Sequence, residues 1–307
     1  MNKQQAISLF DTIKVWQRGD QRAPHKPLLA LLALGKLANQ HLSQLHFSDV
    51  EEELKSLLRE FGPTGSENKG HFPFWHLQGD GLWELHGPVE LTSRPLRNTA
   101  LVSQLRQPEV TAGFSPELAR YLIKNPDIIR SIAQRLVSAH FPETIQEDVL
   151  AAVGLGSDNH AGLAEEPAEY TTVRKARDPQ FRIKVLTAYE YRCCVCGHDL
   201  RLGTQPIGLE AAHIKWFQAG GPDIESNGLA LCSLHHKIFD MGAFTVTPDN
   251  FKMQFSNLVM GSASTKGSVL AHHGQPIIHP QNDKFLPDQQ FLTWHASQVF
   301  KGASRSE

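Results

Sequence analysis

The stretch that decides the fold of this chain runs from Tyr191 to Asp240, YRCCVCGHDLRLGTQPIGLEAAHIKWFQAGGPDIESNGLALCSLHHKIFD. It contains a Cys-x-x-Cys pair, Cys193 and Cys196, and a Cys-x-x-His pair, Cys232 and His235. Each pair has the short spacing with which one turn places two ligands on a tetrahedral ion, and thiolates with imidazole suit zinc. Because protein fills all four positions, we expect a closed, structural zinc site.

The placement of the cysteines favours a metal site over a disulfide framework. All four lie in this stretch, and a tight cluster in an intracellular protein is typically a metal site. A lone Cys-x-x-Cys would also fit a redox motif or buried free thiols, but the second pair, beyond a hairpin-like segment, favours zinc. The remaining cysteine, Cys194, is interpreted as a small core residue.

A second set of polar residues lies between and just after the zinc pairs. His213 belongs to an apolar, alternating run, residues 207–216, that predicts a strand. Asn227 precedes a glycine in a predicted turn, and His236 and Asp240 are four residues apart, so they share one face of a helix. The predicted order is strand, loop, helix.

These residue types suit phosphodiester hydrolysis. That reaction needs a base that deprotonates water, a divalent cation that stabilises charge on the phosphate, and a group that holds the base in place. An imidazole titrates near neutral pH, so His213 suits the base. His236 and Asp240 can offer nitrogen and oxygen to one ion, and Asn227 can fix the loop.

In combination, these motifs resemble the HNH nuclease family with its ββα-metal fold, over roughly residues 175–245. The resemblance implies that His213 is the general base, Asn227 the loop-fixing asparagine and His236 a ligand of a catalytic Mg²⁺ or Mn²⁺. Many HNH enzymes carry a second ligand, an aspartate, directly before the first histidine, where this chain has Ala212. We expect Asp240 to supply that oxygen. Glu210, three residues before His213 on a strand, points to the opposite face from His213 and is the weaker candidate.

Outward from this stretch, the chain divides into two blocks. Residues 154–170, GLGSDNHAGLAEEPAEY, lack a sustained period and have the composition of a linker. We therefore predict a first domain over residues 1–153, a linker over 154–171 and a second domain over 172–307. The fold class is α+β: a mainly helical N-terminal domain is followed by the zinc-stabilised ββα-metal domain. At the start of the second domain lies a basic stretch: Arg174, Lys175, Arg177, Arg182 and Lys184. These side chains could neutralise DNA phosphates, or they could belong to a helix face that is simply exposed to solvent.

The first block has helical periodicity at four places, near residues 7–16, 27–38, 50–61 and 118–136, and a β-like passage, HFPFWHL then GLWELHG. Arg22, His25 and Lys26 form a basic loop at a helix N-terminus, a ready anion site. Phe72 and Pro73 belong to an aromatic cluster in a predicted exposed turn, which could contact DNA or belong to the core.

The segments RAPHKPLLALLALGKL, FGP and FPFWHLQGDGLWEL resemble the sulfur-binding domain found before HNH modules in phosphorothioate-dependent restriction endonucleases. The resemblance covers most of residues 1–150. It implies recognition of DNA in which sulfur replaces a non-bridging phosphate oxygen. By analogy, Phe72 and Pro73 would line a small apolar cavity that favours sulfur, with Arg22, His25 and Lys26 close to the phosphate.

The whole chain therefore predicts a modification-dependent DNA endonuclease whose partner is double-stranded, phosphorothioated DNA. The formal net charge of −2 requires that DNA binding come from local patches, among which Lys215 beside His213 is a candidate phosphate contact. Two alternative functions remain: an HNH nuclease that recognises methylated or unmodified DNA, and a catalytically inactive zinc-containing DNA-binding module. The chain could also form a homodimer that cuts both strands. Neither a secretory signal nor a membrane span is apparent, so we expect a cytoplasmic protein.

Overall fold

The computed structural model describes residues 1–15, 20–156 and 178–306. The chain divides into two compact units, Met1–Tyr170 and Thr171–Glu307. The predicted linker lies almost entirely outside the described residues, and so do Arg174, Lys175 and Arg177 of the basic stretch. The linker bounds stay a prediction.

The first unit is mainly helical, as predicted. The helix α2 is apolar on all sides and its residues 27–35 are buried, which makes it the central helix of this unit. Within the described residues, no helix has the length and apolar character needed to cross a bilayer. The helices are α1 (Lys3–Asp11), α2 (His25–Gln40), α3 (Phe47–Phe61), α4 (His71–His76), α5 (Val89–Thr92), α6 (Val102–Leu105), α7 (Pro116–Lys124), α8 (Pro126–His140) and α9 (Glu143–Ala152).

A small antiparallel sheet completes the first unit. Its strands are β1 (Gln44–His46), β2 (Trp83–His86) and β3 (Thr111–Phe114), in the order β1-β3-β2. Strands of three or four residues are too short for a periodic signal, and only β2 was predicted, from GLWELHG.

The other half of the β-like passage was predicted wrongly. HFPFWH forms the helix α4, in which the adjacent Phe74 and Trp75 are both buried. A strand with one buried face would alternate these two side chains, whereas a short helix wedged against α2 and α3 can bury both. Pro73 is tolerated because it lies in the first turn of this helix. The predicted helix over residues 118–136 is likewise two helices, α7 and α8, which meet at Asn125–Pro126.

The second unit is built around a β-β-α arrangement. The strands β6 and β7 are antiparallel, with Glu210 paired to Leu231 and His213 to Gly228, and α11 follows β7 directly. This confirms the predicted strand, loop and helix around His213. The elements are α10 (Phe181–Ala188), β4 (Arg201–Leu202), β5 (Gln205–Pro206), β6 (Leu209–His213), β7 (Gly228–Cys232), α11 (Ser233–Asp240), β8 (Phe244–Val246), β9 (Met253–Phe255), α12 (Ala263–Ser268) and α13 (Gln289–Gln298).

Candidate metal centres and DNA-contacting residues

The four residues predicted to bind zinc converge. One ligand atom each from Cys193, Cys196, Cys232 and His235 lies within 4.8 Å of all the others. The Nδ1 atom of His235 is 3.2 Å from the Cys232 sulfur and 3.6 Å from the Cys193 sulfur. Ligands at about 2.3 Å from a tetrahedral ion lie about 3.7 Å apart, so the cluster has the dimensions of a zinc site.

The chain around the first cysteine pair is folded by local turns. Glu190 and Tyr191 both have positive φ angles, and Tyr191 N donates to Leu186 O, which ends α10 and reverses the chain. Gly197 also has a positive φ and its N–H donates to Cys193 O, closing the Cys-x-x-Cys turn. Cys194 is buried in the core, as predicted, and its N–H donates to a carbonyl of β7.

His213 lies at the end of β6, where it contacts a carboxylate that sequence reasoning missed. Its Nε2 atom is 2.7 Å from Oδ1 of Asp223, and the ring stacks on Phe181 with centroids 4.0 Å apart. The second oxygen of Asp223 accepts a 2.7 Å hydrogen bond from the Asp178 backbone N–H. The available sequence signal was weak: Asp223 is one of two carboxylates in the loop between His213 and Asn227.

Asn227 ties the end of β6 to this loop. The side chain is fully buried; its amide oxygen accepts from Lys215 N, and its amide nitrogen donates to Lys215 O and to Pro222 O, at 2.9 to 3.0 Å. This geometry is what the loop-fixing role requires. Lys215 itself is only 9% exposed, and its contact with phosphate stays a prediction.

His236 is held between two carboxylates. Its Nδ1 atom is 2.6 Å from Glu210 Oε2, and its Nε2 atom is 3.2 Å from Asp240 Oδ2. Glu210 also accepts a 2.7 Å hydrogen bond from the Ser233 hydroxyl. The two carboxylates therefore contact opposite edges of the ring, and they differ in access to solvent: the side chain of Glu210 is 41% exposed and that of Asp240 is 2% exposed.

The charges around His236 favour its protonated form when no metal ion is bound. Burial lowers the pKa of His236, but Asp240 and then Glu210 outweigh burial and raise this pKa to about 10. The hydrogen bond from His236 in turn lowers the pKa of Glu210. A metal ion bound to His236 would replace this proton.

In the first unit, the predicted basic loop is partly committed to internal contacts. Arg22 donates to Phe61 O at 3.0 Å, and the Lys26 ammonium contacts Asp80 Oδ2 at 2.6 Å. The Asp80 side chain is 1% exposed, and its other oxygen accepts from Lys14 N. Lys26 therefore forms a largely buried ion pair at the first turn of α2.

The start of α2 and the helix α4 are close enough to influence each other electrostatically. Burial, Lys69 and Arg22 together lower the pKa of His25 to about 4, so this imidazole is neutral at pH 7. Burial, and then Lys26, lower the pKa of His76 on α4. The two segments predicted to contact DNA thus lie together, and Lys69, which the sequence analysis did not single out, also lies near His25.

Phe72 is the exposed aromatic residue of α4. Its side chain is 42% exposed and lies against the rings of His71 and His76, with centroids 4.1 Å and 6.4 Å away. Pro73 is buried, as are Phe74 and Trp75. The aromatic cluster therefore contributes mostly to the core, and Phe72 is the member that offers an apolar surface to a ligand.

The two units match two families. Residues 3–158, about half of the chain, match the family described as ScoMcrA-like, DNA sulfur-binding domain. Residues 193–247 match an HNH endonuclease family. No curated protein sequence matches the chain.

Among solved structures, the chain is similar to "Sulfur binding domain of ScoMcrA complexed with phosphorothioated DNA" at 22% identity and a TM-score of 0.43, over 48% of this chain and 94% of that chain. The sulfur-binding domain of SprMcrA with phosphorothioated DNA matches at 20% identity and a TM-score of 0.43, over 52% and 98%. The type IV phosphorothioation-dependent restriction endonuclease ScoMcrA matches at 21% identity and a TM-score of 0.41, over 49% of this chain and 28% of that chain.

Proposed function

Because this chain belongs to the ScoMcrA-like DNA sulfur-binding family and also carries an HNH endonuclease domain, we propose that it recognises phosphorothioated DNA and hydrolyses a nearby phosphodiester bond. The observation that carries the nuclease half is that one strand, β6, bears both His213 and Glu210, and Glu210 contacts His236 on α11. Residues three apart on a strand are separated by about 10 Å, so a base and an acidic metal-binding pair lie within the span of one DNA backbone segment.

In this proposal His213 accepts a proton from the attacking water. Asn227 fixes the loop that follows His213, through its three hydrogen bonds to Lys215 and Pro222. Lys215 lies next to the general base, where its charge would favour the approach of a phosphate. These roles act together, since a base can take the proton only if its ring is correctly oriented.

The catalytic ion would be held by His236 and Glu210. A Mg²⁺ or Mn²⁺ bound there would stabilise negative charge on the scissile phosphate and the leaving oxygen. One imidazole offers one nitrogen to an ion, and a metal-binding histidine usually donates its other N–H to a carboxylate. The exposed Glu210 lies on the Nδ1 side and the buried Asp240 on the Nε2 side, which favours Glu210 as the ligand and Asp240 as the carboxylate that orients the ring.

This assignment reverses our sequence-based preference for Asp240, and the reason is the alternation of β6. Glu210 does point away from the face of His213, but residue 212 shares that opposite face with Glu210. Position 212 is where many HNH enzymes have an aspartate that binds the metal ion. Here Ala212 is small, and the longer glutamate two residues earlier can supply the oxygen.

We further propose that Cys193, Cys196, Cys232 and His235 bind zinc, which would clamp the turn after α10 to the start of α11. Three sulfurs and one nitrogen leave no open position for substrate, so the role is structural. Zinc would also deprotonate the thiols, and its positive charge would offset the negative charge of the clustered thiolates.

Recognition of the sulfur is assigned to the start of α2 and to α4. Sulfur is larger and less strongly hydrated than oxygen, so an exposed apolar surface such as that of Phe72 favours it. The imidazole of His25, at the start of α2, is neutral at pH 7 because its pKa is lowered to about 4. The cations Arg22 and Lys69 would satisfy the negative charge of the linkage. Lys26, paired with Asp80, would hold the start of α2 in place.

The test of this function is cleavage of matched duplexes, phosphorothioated, methylated and unmodified, by the full chain with Mg²⁺ or Mn²⁺. We expect cutting of the phosphorothioated duplex alone, and His213→Ala should abolish cutting without loss of binding. Equal cutting of all three duplexes would contradict sulfur recognition. Binding without cutting at any metal concentration would instead favour the inactive binding module.

A further inference from the structure

The loop carboxylate beside His213 has no role in the function described so far. Resting on the proposed nuclease function, we propose that Asp223 is a positioning residue: it accepts the Nε2 proton of His213 and thereby presents Nδ1 as the basic nitrogen. The contact that carries this inference is the 2.7 Å separation of Nε2 and Asp223 Oδ1.

The chemistry of the two partners decides which nitrogen carries the proton. A neutral imidazole has one N–H and one lone pair, and an ionised carboxylate can only accept hydrogen bonds. The nitrogen in contact with Asp223 must therefore be the N–H, which is Nε2. The lone pair then lies on Nδ1, the atom that takes the proton of the attacking water.

The position of the Asp223 carboxylate is itself fixed by hydrogen bonds, so it can orient the ring of His213. Its second oxygen accepts the N–H of Asp178, at the entry to α10, and Asn227 holds the carbonyl of the preceding Pro222. The side chains of His213 and Asp223 are 16% and 11% exposed. Shielding from water strengthens a hydrogen bond to a charged group, so this contact restricts the ring more than a surface pair would.

Aromatic contacts limit the remaining freedom of the ring. Phe181 stacks on His213 with an interplanar angle of 15°, and Phe217 lies 6.0 Å away at 55°. A half-turn of the imidazole within this stack would place a carbon against Oδ1 and leave a shielded carboxylate oxygen without its donor. The stack sets the plane of the ring, and Asp223 selects one of its two orientations.

The same carboxylate suits the charge that develops during the reaction. When water attacks phosphorus, its proton goes to Nδ1, the oxygen forms the new P–O bond and the leaving oxygen departs with the electrons of the old bond. His213 is then an imidazolium next to Asp223, and the negative charge stabilises it without becoming protonated. Asp223 therefore acts through His213 and need not touch the DNA.

The experiment compares Asp223→Ala and Asp223→Asn with wild type, using a phosphorothioated duplex and Mn²⁺. Loss of a carboxylate that orients a metal-binding histidine typically costs about 10- to 100-fold. For the general base His213 we expect kcat to fall by at least that factor in Asp223→Ala, with KM unchanged. Asp223→Asn keeps the volume and one acceptor oxygen, and should lose a smaller but clear part of kcat. Glu225→Ala is the matched control, since it removes the other carboxylate of the same loop and should leave kcat unchanged.

A second readout does not depend on catalysis. Nitrogen NMR of the chain with structural zinc but without Mg²⁺ or Mn²⁺ should show His213 as the Nε2–H tautomer in wild type and as a mixture of tautomers in Asp223→Ala. An unchanged tautomer, or wild-type kcat in both Asp223 variants, would overturn the inference. If His213→Ala also cuts normally, the proposed function fails; if only the Asp223 variants behave as wild type, the inference alone fails.

Discussion

Neutralising each of the two carboxylates that contact His236 should have different effects on metal binding and on stability. In Glu210→Gln and Asp240→Asn the side-chain volume is kept and one negative charge is lost. If Glu210 binds the catalytic ion and Asp240 orients the ring, Glu210→Gln should affect Mn²⁺ binding with little change in stability. Asp240→Asn should affect both.

The expected losses of stability follow from how deeply each carboxylate is buried. The Glu210 carboxylate is 41% exposed, and exposed ion pairs contribute about 0–1 kcal/mol, so the unfolding free energy of the second unit should change by less than about 1 kcal/mol. The Asp240 side chain is 2% exposed, and loss of one partner of a buried charged pair costs about 3–5 kcal/mol. Loss of the ligand should weaken Mn²⁺ binding at least as much as loss of the orienting carboxylate, which costs about 10- to 100-fold.

Two measurements on the full, zinc-loaded chain check this. Hydrogen exchange of the β7 amides reports the unfolding free energy of the second unit, and isothermal titration reports Mn²⁺ affinity. The reasoning is refuted if Glu210→Gln binds Mn²⁺ as wild type does while Asp240→Asn loses the ion without loss of stability. That result would return the ligand role to Asp240.

The other predictions concern the sulfur site, pH and zinc. Phe72→Ala should reduce the preference for phosphorothioated over ordinary DNA in binding assays, because it removes an exposed apolar surface, whereas Val89→Ala, 74% exposed in the same unit, should not. The pKa of His25 is about 4 in the folded chain, below its usual 6.5, so the unfolded chain takes up the proton first as the pH falls below 6.5. The free energy of unfolding of the first unit should therefore fall by about 3 kcal/mol between pH 7 and pH 4. His25→Gln should remove this part of the pH dependence, measured by hydrogen exchange in the first unit. Cys196→Ser or a strong chelator should release bound zinc, measured by elemental analysis. The amides of the second unit should then lose their protection from hydrogen exchange, while those of α2 stay protected. Full protection of the second unit after zinc loss would contradict the structural role.

Short-range sequence patterns predicted many of the elements and site residues of this protein. The Cys-x-x-Cys and Cys-x-x-His pairs, the strand with His213 and the helix with His236 and Asp240 could be predicted because their spacing is set by one turn or one element. The helices α1, α2 and α3 were predicted from their apolar periodicity. By contrast, β1 and β3 are too short to show a period, and α4 has a contiguous apolar composition that suits a buried strand or helix equally.

Which partner each functional group meets was decided by tertiary structure. Asp223 reaches His213, Lys26 reaches Asp80, and Glu210 reaches His236 across distances along the chain that no local period encodes. The sequence by itself determined the donor types and the elements that carry them, since backbone geometry repeats locally. The folded chain determined which edge of an imidazole faces which carboxylate and how exposed each carboxylate is, because those depend on packing between elements far apart in sequence.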